Sequence, residues 1–269
     1  MILPALVAAL ALSAEPAEDA FAAAQRQGDA AFAEREDPRR LAEAVARYAE
    51  AASLRPADGA PLVALARAHA FHALSTPAAA RDAWREASRA AERALRLAAP
   101  AFAAATDGGD DPARAAPSVG AAAAEPLYWV AVATMGMAQA RGMSAVLAAK
   151  DAARGMMERA AELDERLDHG GPRRSLGAWL ATIPSAAGGG AAAARKELDR
   201  ALSLDPAYQL TRVRDAETLA VLLQDRKRFE GLLGDVLAFD EARAPGIAPE
   251  NRLAKRLARE LLARRDRLF

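Results

Sequence analysis

Five of the six methionines fall between Met135 and Met157, at 135, 137, 143, 156 and 157, directly after Tyr128-Trp129. Methionine is unbranched and polarizable, so a cluster of this kind can line a groove or pore that accepts varied apolar shapes. Packing against neighbouring helices is the plainer use of the same residues. Tyr128, Trp129, Met135, Met137, Met156 and Met157 form the candidate lining set.

The histidines offer less. His69 and His72 stand three apart on a predicted helix, close enough to share a metal, but no further ligand completes a recognisable motif around them. His169 belongs to the phrase Asp168-His169-Gly170-Gly171-Pro172, in which glycine supplies positive φ and proline starts the next helix. His169, Gly170, Gly171, Pro172 and Arg173 are therefore candidates for a fixed turn with an interaction role. Gly188-Gly189-Gly190 precedes a helix where an anion could sit, but it lacks the Gly-Lys-Ser/Thr ending of a phosphate loop. No nucleophile elbow and no His-Glu-x-x-His helix occurs. With no catalytic constellation, no enzyme activity, metal or cofactor is expected.

The elements that must position these residues are helical. The chain has 269 residues, 36 basic against 36 acidic, with 52% hydrophobic and only 5% aromatic residues. Alanine supplies much of the apolar share, and alanine with glutamate and arginine favours helix. An all-α fold follows. Zero net charge gives no global argument for nucleic-acid binding. The absence of cysteine excludes disulfides, thiolate chemistry and a lipid anchor on an N-terminal cysteine.

A phrase recurs at helix ends: Ala51-Ala-Ser-Leu54, Ala94-Leu-Arg-Leu97, Ala160-Ala-Glu-Leu163 and Ala201-Leu-Ser-Leu204. Its leading alanines are 43, 66 and 41 residues apart, a helix-pair period interrupted once. The spacing predicts a right-handed superhelical solenoid of tetratricopeptide-like pairs closed by a C-terminal capping helix. In it the alanine would sit where helices cross and the leucine would fill the core between repeats. Helices are expected near 18–34, 38–54, 61–74, 77–97, 127–140, 144–164, 191–204, 208–224, 227–239 and 249–268, with a short one ending near Thr182. Residues 15–269 read as one repeat domain with a flexible insertion at about 99–125, around Asp107-Gly-Gly-Asp-Asp-Pro112. The last helix carries Arg252, Lys255, Arg256, Arg259, Arg264, Arg265 and Arg267 beside a leucine stripe. Such a face suits either an anionic surface or a solvated cap.

Residues 1–14 are an apolar run followed by Glu15, Glu18 and Asp19. The run is too short to span a bilayer, which takes about 20 apolar residues. A secretory signal peptide without a basic n-region fits, and so does an ordinary first helix; export to the periplasm is the expectation taken.

From Tyr128 to Phe269 the sequence resembles the T component (TatT) family of tripartite ATP-independent periplasmic, or TRAP, transporters. The matching elements are Tyr128-Trp129 with Gly136, the Met157–Asp164 helix end, Gly170-Gly171-Pro172, Leu176-Gly177, Pro184 with Gly188-Gly189, and Ala201–Leu204. Ala216, Gln224-Asp225, Phe229, Leu232-Leu233, Val236-Leu237, Asp240, Asn251, Ala254 and Arg256 continue the series. The resemblance implies a periplasmic partner of the TRAP solute-binding (P) component, a homo-oligomer, and an apolar cleft or pore for a hydrophobic small molecule. Many relatives look like lipoproteins, whereas this chain has no cysteine to acylate. Relatives also often carry a histidine after Gly-Pro where this chain has Arg173, a role His169 could take over. The competing expectation is a repeat scaffold for envelope complexes that binds no small molecule and presents Tyr208 and Trp179 as exposed anchors.

Overall fold

Proline after a capping aspartate starts helices here with little ambiguity. Asp37 accepts a hydrogen bond from the Arg39 amide at 2.8 Å and Pro38 begins the helix. Asp111 does the same for the Ala113 amide at 2.7 Å ahead of Pro112. Proline has no amide hydrogen to lose in a first turn, and the aspartate satisfies a donor that the helix cannot. The structure, a computed structural model, describes the backbone of residues 4–269 and the side chains of residues 18–269. The side chains of the expected leader, residues 1–14, lie outside the described residues. Among the described residues every regular element is helical and there is no strand.

The chain divides into two compact units, Met1–Ala98 and Ala99–Phe269. The first holds α1 (Pro4–Ala33), α2 (Pro38–Leu54), α3 (Ala60–Ser75) and α4 (Ala80–Ala98), with α1 packed on α2 and α3 on α4. Its core includes Phe21, Phe32, Tyr48, Phe71 and Trp84. The Phe32 ring lies 6.4 Å from both Tyr48 and Phe71, and the Tyr48 hydroxyl donates to Asp29 at 2.8 Å.

The second unit begins with α5 (Pro100–Asp107) and α6 (Pro112–Ala115), so the stretch expected as an insertion holds helical turns with Phe102, Ala115 and Val119 buried. Two helix pairs follow, α7 (Ala124–Arg141) on α8 (Met143–Leu163) and α9 (Leu167–Thr182) on α10 (Ala191–Leu204). The helix expected over 208–224 starts instead as α11 (Leu210–Asp215), widens into a π-helical turn at Ala216–Ala220 and stops at Gln224, whose φ is 53°. Next come α12 (Arg226–Ala238), α13 (Ala248–Ala263) and α14 (Arg265–Leu268), the last two separating what reads in sequence as one helix. Asn251 ties α13 to the start of α11, accepting from the Gln209 amide at 2.9 Å and donating to the Ala207 carbonyl at 3.1 Å.

The recurring phrase does one of its two expected jobs. Ala51, Ala94, Ala160 and Ala201 are all 0% exposed. In three copies the alanine carbonyl also takes the amide four residues on, closing the helix at Arg55, Asp164 and Asp205. The leucines do not fill a core: Leu54 is 40% and Leu97 43% exposed, and Leu163 and Leu204 are half-buried. The leucine three positions later is the last helical residue of α2, α8 and α10 and the last but one of α4, so it lies at the helix end rather than in the packed stretch. Gly59 approaches Ala94 in the first unit and Gly170 approaches Ala201 in the second.

Candidate functional site

The most unusual backbone in the molecule lies at the start of α9. Asp168, His169 and Gly170 are all left-handed, with φ of 45°, 59° and 78°. Each non-glycine residue there costs about 1–2 kcal/mol, so the turn persists only because its surroundings hold it. Gly170 meets both needs of its position: it adopts positive φ freely, and a side chain would press on the Ala201 carbonyl 3.3 Å away.

Two side chains close the turn. The Arg174 guanidinium donates to the Asp168 and His169 carbonyls at 3.1 Å each and to the Asp168 carboxylate at 2.6 Å. The Tyr128 hydroxyl, on α7, donates to the same carboxylate oxygen at 2.6 Å. Tyr128 and Arg174 are both buried, and hydrogen bonds to a charged acceptor are the stronger kind. Burial first, then the neighbouring Asp168 charge, raises the Tyr128 hydroxyl well above its ordinary pKa, which keeps it a protonated donor. Burial alone would lower Arg174, but Tyr208, Asp168 and Tyr128 around it hold it above its usual value.

His169 is the member of the group that faces outward, with its side chain 40% exposed. Its ring stacks on Tyr208 at 4.9 Å and 7°, and its Nδ1 lies 2.7 Å from the Asp205 carboxylate. Arg174 also sits over the Tyr208 ring, 4.5 Å from its centre. A carboxylate on Nδ1 fixes the imidazole tautomer and orientation, leaving Nε2 as the acceptor of the neutral ring. The group can orient and bind. For acyl transfer it would need a nucleophile beside the imidazole, and the residues that position His169 are an aspartate and a tyrosine.

Of the remaining turn candidates, Gly171 packs its α-carbon against the Tyr128 hydroxyl and Pro172 is buried as the helix begins. Arg173 belongs to a separate network. It donates to Glu165 at 3.1 Å and to Glu197 at 2.9 Å, and Arg200 also binds Glu165, fastening α9 to α10.

Tyr128, Trp129, Met135, Met156 and Met157 are buried and Met137 is half-buried. The Tyr128 and Trp129 rings lie 4.8 Å apart. The structure thus brings Tyr128 to the His169–Pro172 turn, while the methionines lie along α7 and α8. Tyr208 and Trp179, expected as exposed anchors of a scaffold, are both buried: Tyr208 lies under His169 and Arg174, and the Trp179 indole approaches the Lys150 carbonyl at 3.4 Å. His69 and His72 are half-buried on α3, and burial lowers the pKa of His69.

Arg174 and Asp205 were not singled out in sequence; Asp168 entered only as the start of the glycine-proline phrase, and Tyr208 only as an exposed anchor. Asp168 and Arg174 flank the glycine-proline phrase, and Asp205 follows the last repeated phrase. Nothing in their spacing brings partners 36 and 40 residues apart into contact.

The model of the TRAP transporter T-component (TAtT) family matches residues 39–269. The match takes in α2 to α4 as well as the region from Tyr128 onward. No curated protein matches the chain.

Proposed function

Because the chain belongs to the TRAP transporter T-component family, that of a transport accessory component, we propose that it acts in the periplasm as a non-enzymatic partner of the TRAP solute-binding component. In this reading residues 1–14 direct export, and the helix pairs stack as a tetratricopeptide-like, right-handed superhelical solenoid that assembles into a homo-oligomer. A hydrophobic small molecule is held against α7 and α8 by Tyr128, Trp129, Met135, Met137, Met156 and Met157.

The observation that carries the proposal is the family match across residues 39–269. The turn at the start of α9 supports it. Tyr128 is held from outside its own helix by Asp168, which neighbours His169, so the Met-rich pair and the His169 turn are joined by a hydrogen bond. A partner that engages His169 therefore presses on the helix that carries the candidate lining. Met137, half-buried where the other five are buried, is the lining residue most open to an incoming apolar group.

The test has two arms. Native mass spectrometry of the purified chain should show a bound apolar solute, and Met137→Lys should remove it. Immobilised protein should capture the solute-binding component of a TRAP system from a periplasmic extract, and His169→Ala should weaken that capture. Capture of neither solute nor solute-binding component would refute the proposal.

A further inference from the structure

The Arg-rich end of the chain gains a meaning from its neighbours that its sequence lacks. Residues 252–269 carry seven basic residues against two acidic ones in a chain that is neutral overall. As a free amphipathic helix this segment would insert its leucine stripe into a bilayer. The fold excludes that, because Leu253, Ala254, Ala258 and Leu261 are buried within the unit.

Only the charged face is presented, and Arg259, Arg264 and Arg267 are exposed. Among the described residues none of these three has a carboxylate partner; Arg264 reaches only the Glu260 carbonyl at 3.4 Å. The apolar component comes from elsewhere in the chain. Leu222 is 47% and Leu223 39% exposed at the corner after the π-helical turn.

That corner is fastened to the basic end. The Gln224 side chain donates to the Leu268 carbonyl at 3.2 Å, Arg226 donates to Asp266 at 3.0 Å, and the Phe229 and Phe269 rings meet at 5.1 Å. Two exposed leucines with exposed Arg226 and Lys227 thus lie on a corner fastened to the terminal segment that carries the three uncompensated arginines. Exposed leucines beside unneutralised cations suit an interface whose partner is apolar beneath and anionic on top.

We propose that this surface docks on an anionic phospholipid bilayer, with Leu222 and Leu223 entering the headgroup boundary and Arg259, Arg264 and Arg267 binding phosphates. The site is independent of any solute held by α7 and α8. Peripheral membrane contact of this kind needs no lipid anchor.

The experiment is co-sedimentation of the full chain with large vesicles of phosphatidylcholine alone or with 30% phosphatidylglycerol. Pelleting is expected only with the anionic vesicles and should fall as salt rises. Each basic residue near such a surface strengthens binding about fivefold. Arg259→Gln, Arg264→Gln and Arg267→Gln together should therefore weaken it about a hundredfold. Leu222→Ser with Leu223→Ser should weaken it roughly tenfold. All five residues are exposed, so unchanged circular dichroism and melting should accompany the loss.

A control triple in the first unit, Arg39→Gln, Arg85→Gln and Arg89→Gln, removes equal charge and should leave binding intact. Equal pelleting with neutral vesicles, or an equal loss in the control triple, would overturn the proposal. So would retention on immobilised polyglutamate with no pelleting on vesicles, which would assign the surface to an acidic protein partner.

Discussion

Replacing Gly171 by alanine tests whether the left-handed turn is truly locked to α7. An added Cβ would lie 2.7 Å from Tyr128 Cζ and 3.0 Å from Asp168 Cβ, and closer still to the Tyr128 hydroxyl oxygen. Tyr128 has nowhere to go. It is buried, its ring lies 4.8 Å from that of Trp129, and its hydroxyl holds Asp168 at 2.6 Å. Overpacking a rigid site costs about 1–3 kcal/mol. Displacing the hydroxyl adds about 1.5–3 kcal/mol for a hydrogen bond to a charged acceptor. Alanine recovers about 0.4–1 kcal/mol by restricting the unfolded chain. The net expectation is a loss of about 1.5–5.5 kcal/mol, centred near 3. For a unit of this size, about 3 kcal/mol lowers Tm by roughly 6–12 °C.

Urea and thermal unfolding followed by tryptophan fluorescence would measure it. Tyr128→Phe removes the atom that the new Cβ strikes first. The double variant should therefore be less destabilised than the two singles combined, by at least about 1 kcal/mol. A Gly171→Ala protein within about 0.5 kcal/mol of the parent, or strict additivity with Tyr128→Phe, would refute the reasoning.

Other consequences are equally open to measurement. Ala94→Leu and Ala160→Leu should each cost about 1–3 kcal/mol by overpacking, whereas Leu54→Ser and Leu97→Ser should stay within about 0.5 kcal/mol, as read by urea midpoints. Asp215 is fully buried and binds Arg228 through both carboxylate oxygens, so Asp215→Ala strands that guanidinium and should cost about 3 kcal/mol in the same assay. Burial holds the pKa of His69 below 6.5, with Glu86 opposing the shift and His72 adding to it. The unfolded chain binds that proton first, so stability should fall as pH drops below about 6.5 and continue to fall until the folded pKa is passed. Melting curves of His69→Gln between pH 7 and 5 should be flatter than those of the parent, and an unchanged slope would remove His69 as the cause.

Helix boundaries were legible wherever local chemistry decides them. Helix α2 spans Pro38–Leu54 and α10 spans Ala191–Leu204, as their proline and glycine punctuation predicts. The small alanines at helix ends were legible as buried positions. The leucines of the same phrase misled, since sequence distance from the alanine does not say where the partner helix ends. The split between α13 and α14 and the π-helical turn at Ala216–Ala220 left no composition signal either. Both occur inside runs whose apolar spacing suits an unbroken helix.

In the candidate site the glycine-proline phrase announced a turn. That the turn winds left-handed for three residues depends on Arg174 binding its carbonyls and Tyr128 binding Asp168 from another helix. Trp179 and Tyr208 show the same limit in reverse. Large aromatic residues on predicted helices could serve as surface anchors or core, and the packing of neighbouring segments put both inside.

What the sequence determined by itself is the helical class, most of the helix starts, the order of small residues at crossings and the family to which the chain belongs. These follow from propensity, capping and periodic patterning, all of which act within a few turns of chain. What only the tertiary structure decided is which residues meet: Tyr128 with Asp168, His169 with Asp205 and Tyr208, and the Leu222-Leu223 corner with the basic end. Those pairings join segments 36–44 residues apart, and at that range burial and hydrogen-bond satisfaction across packed helices, rather than local preference, choose the partners.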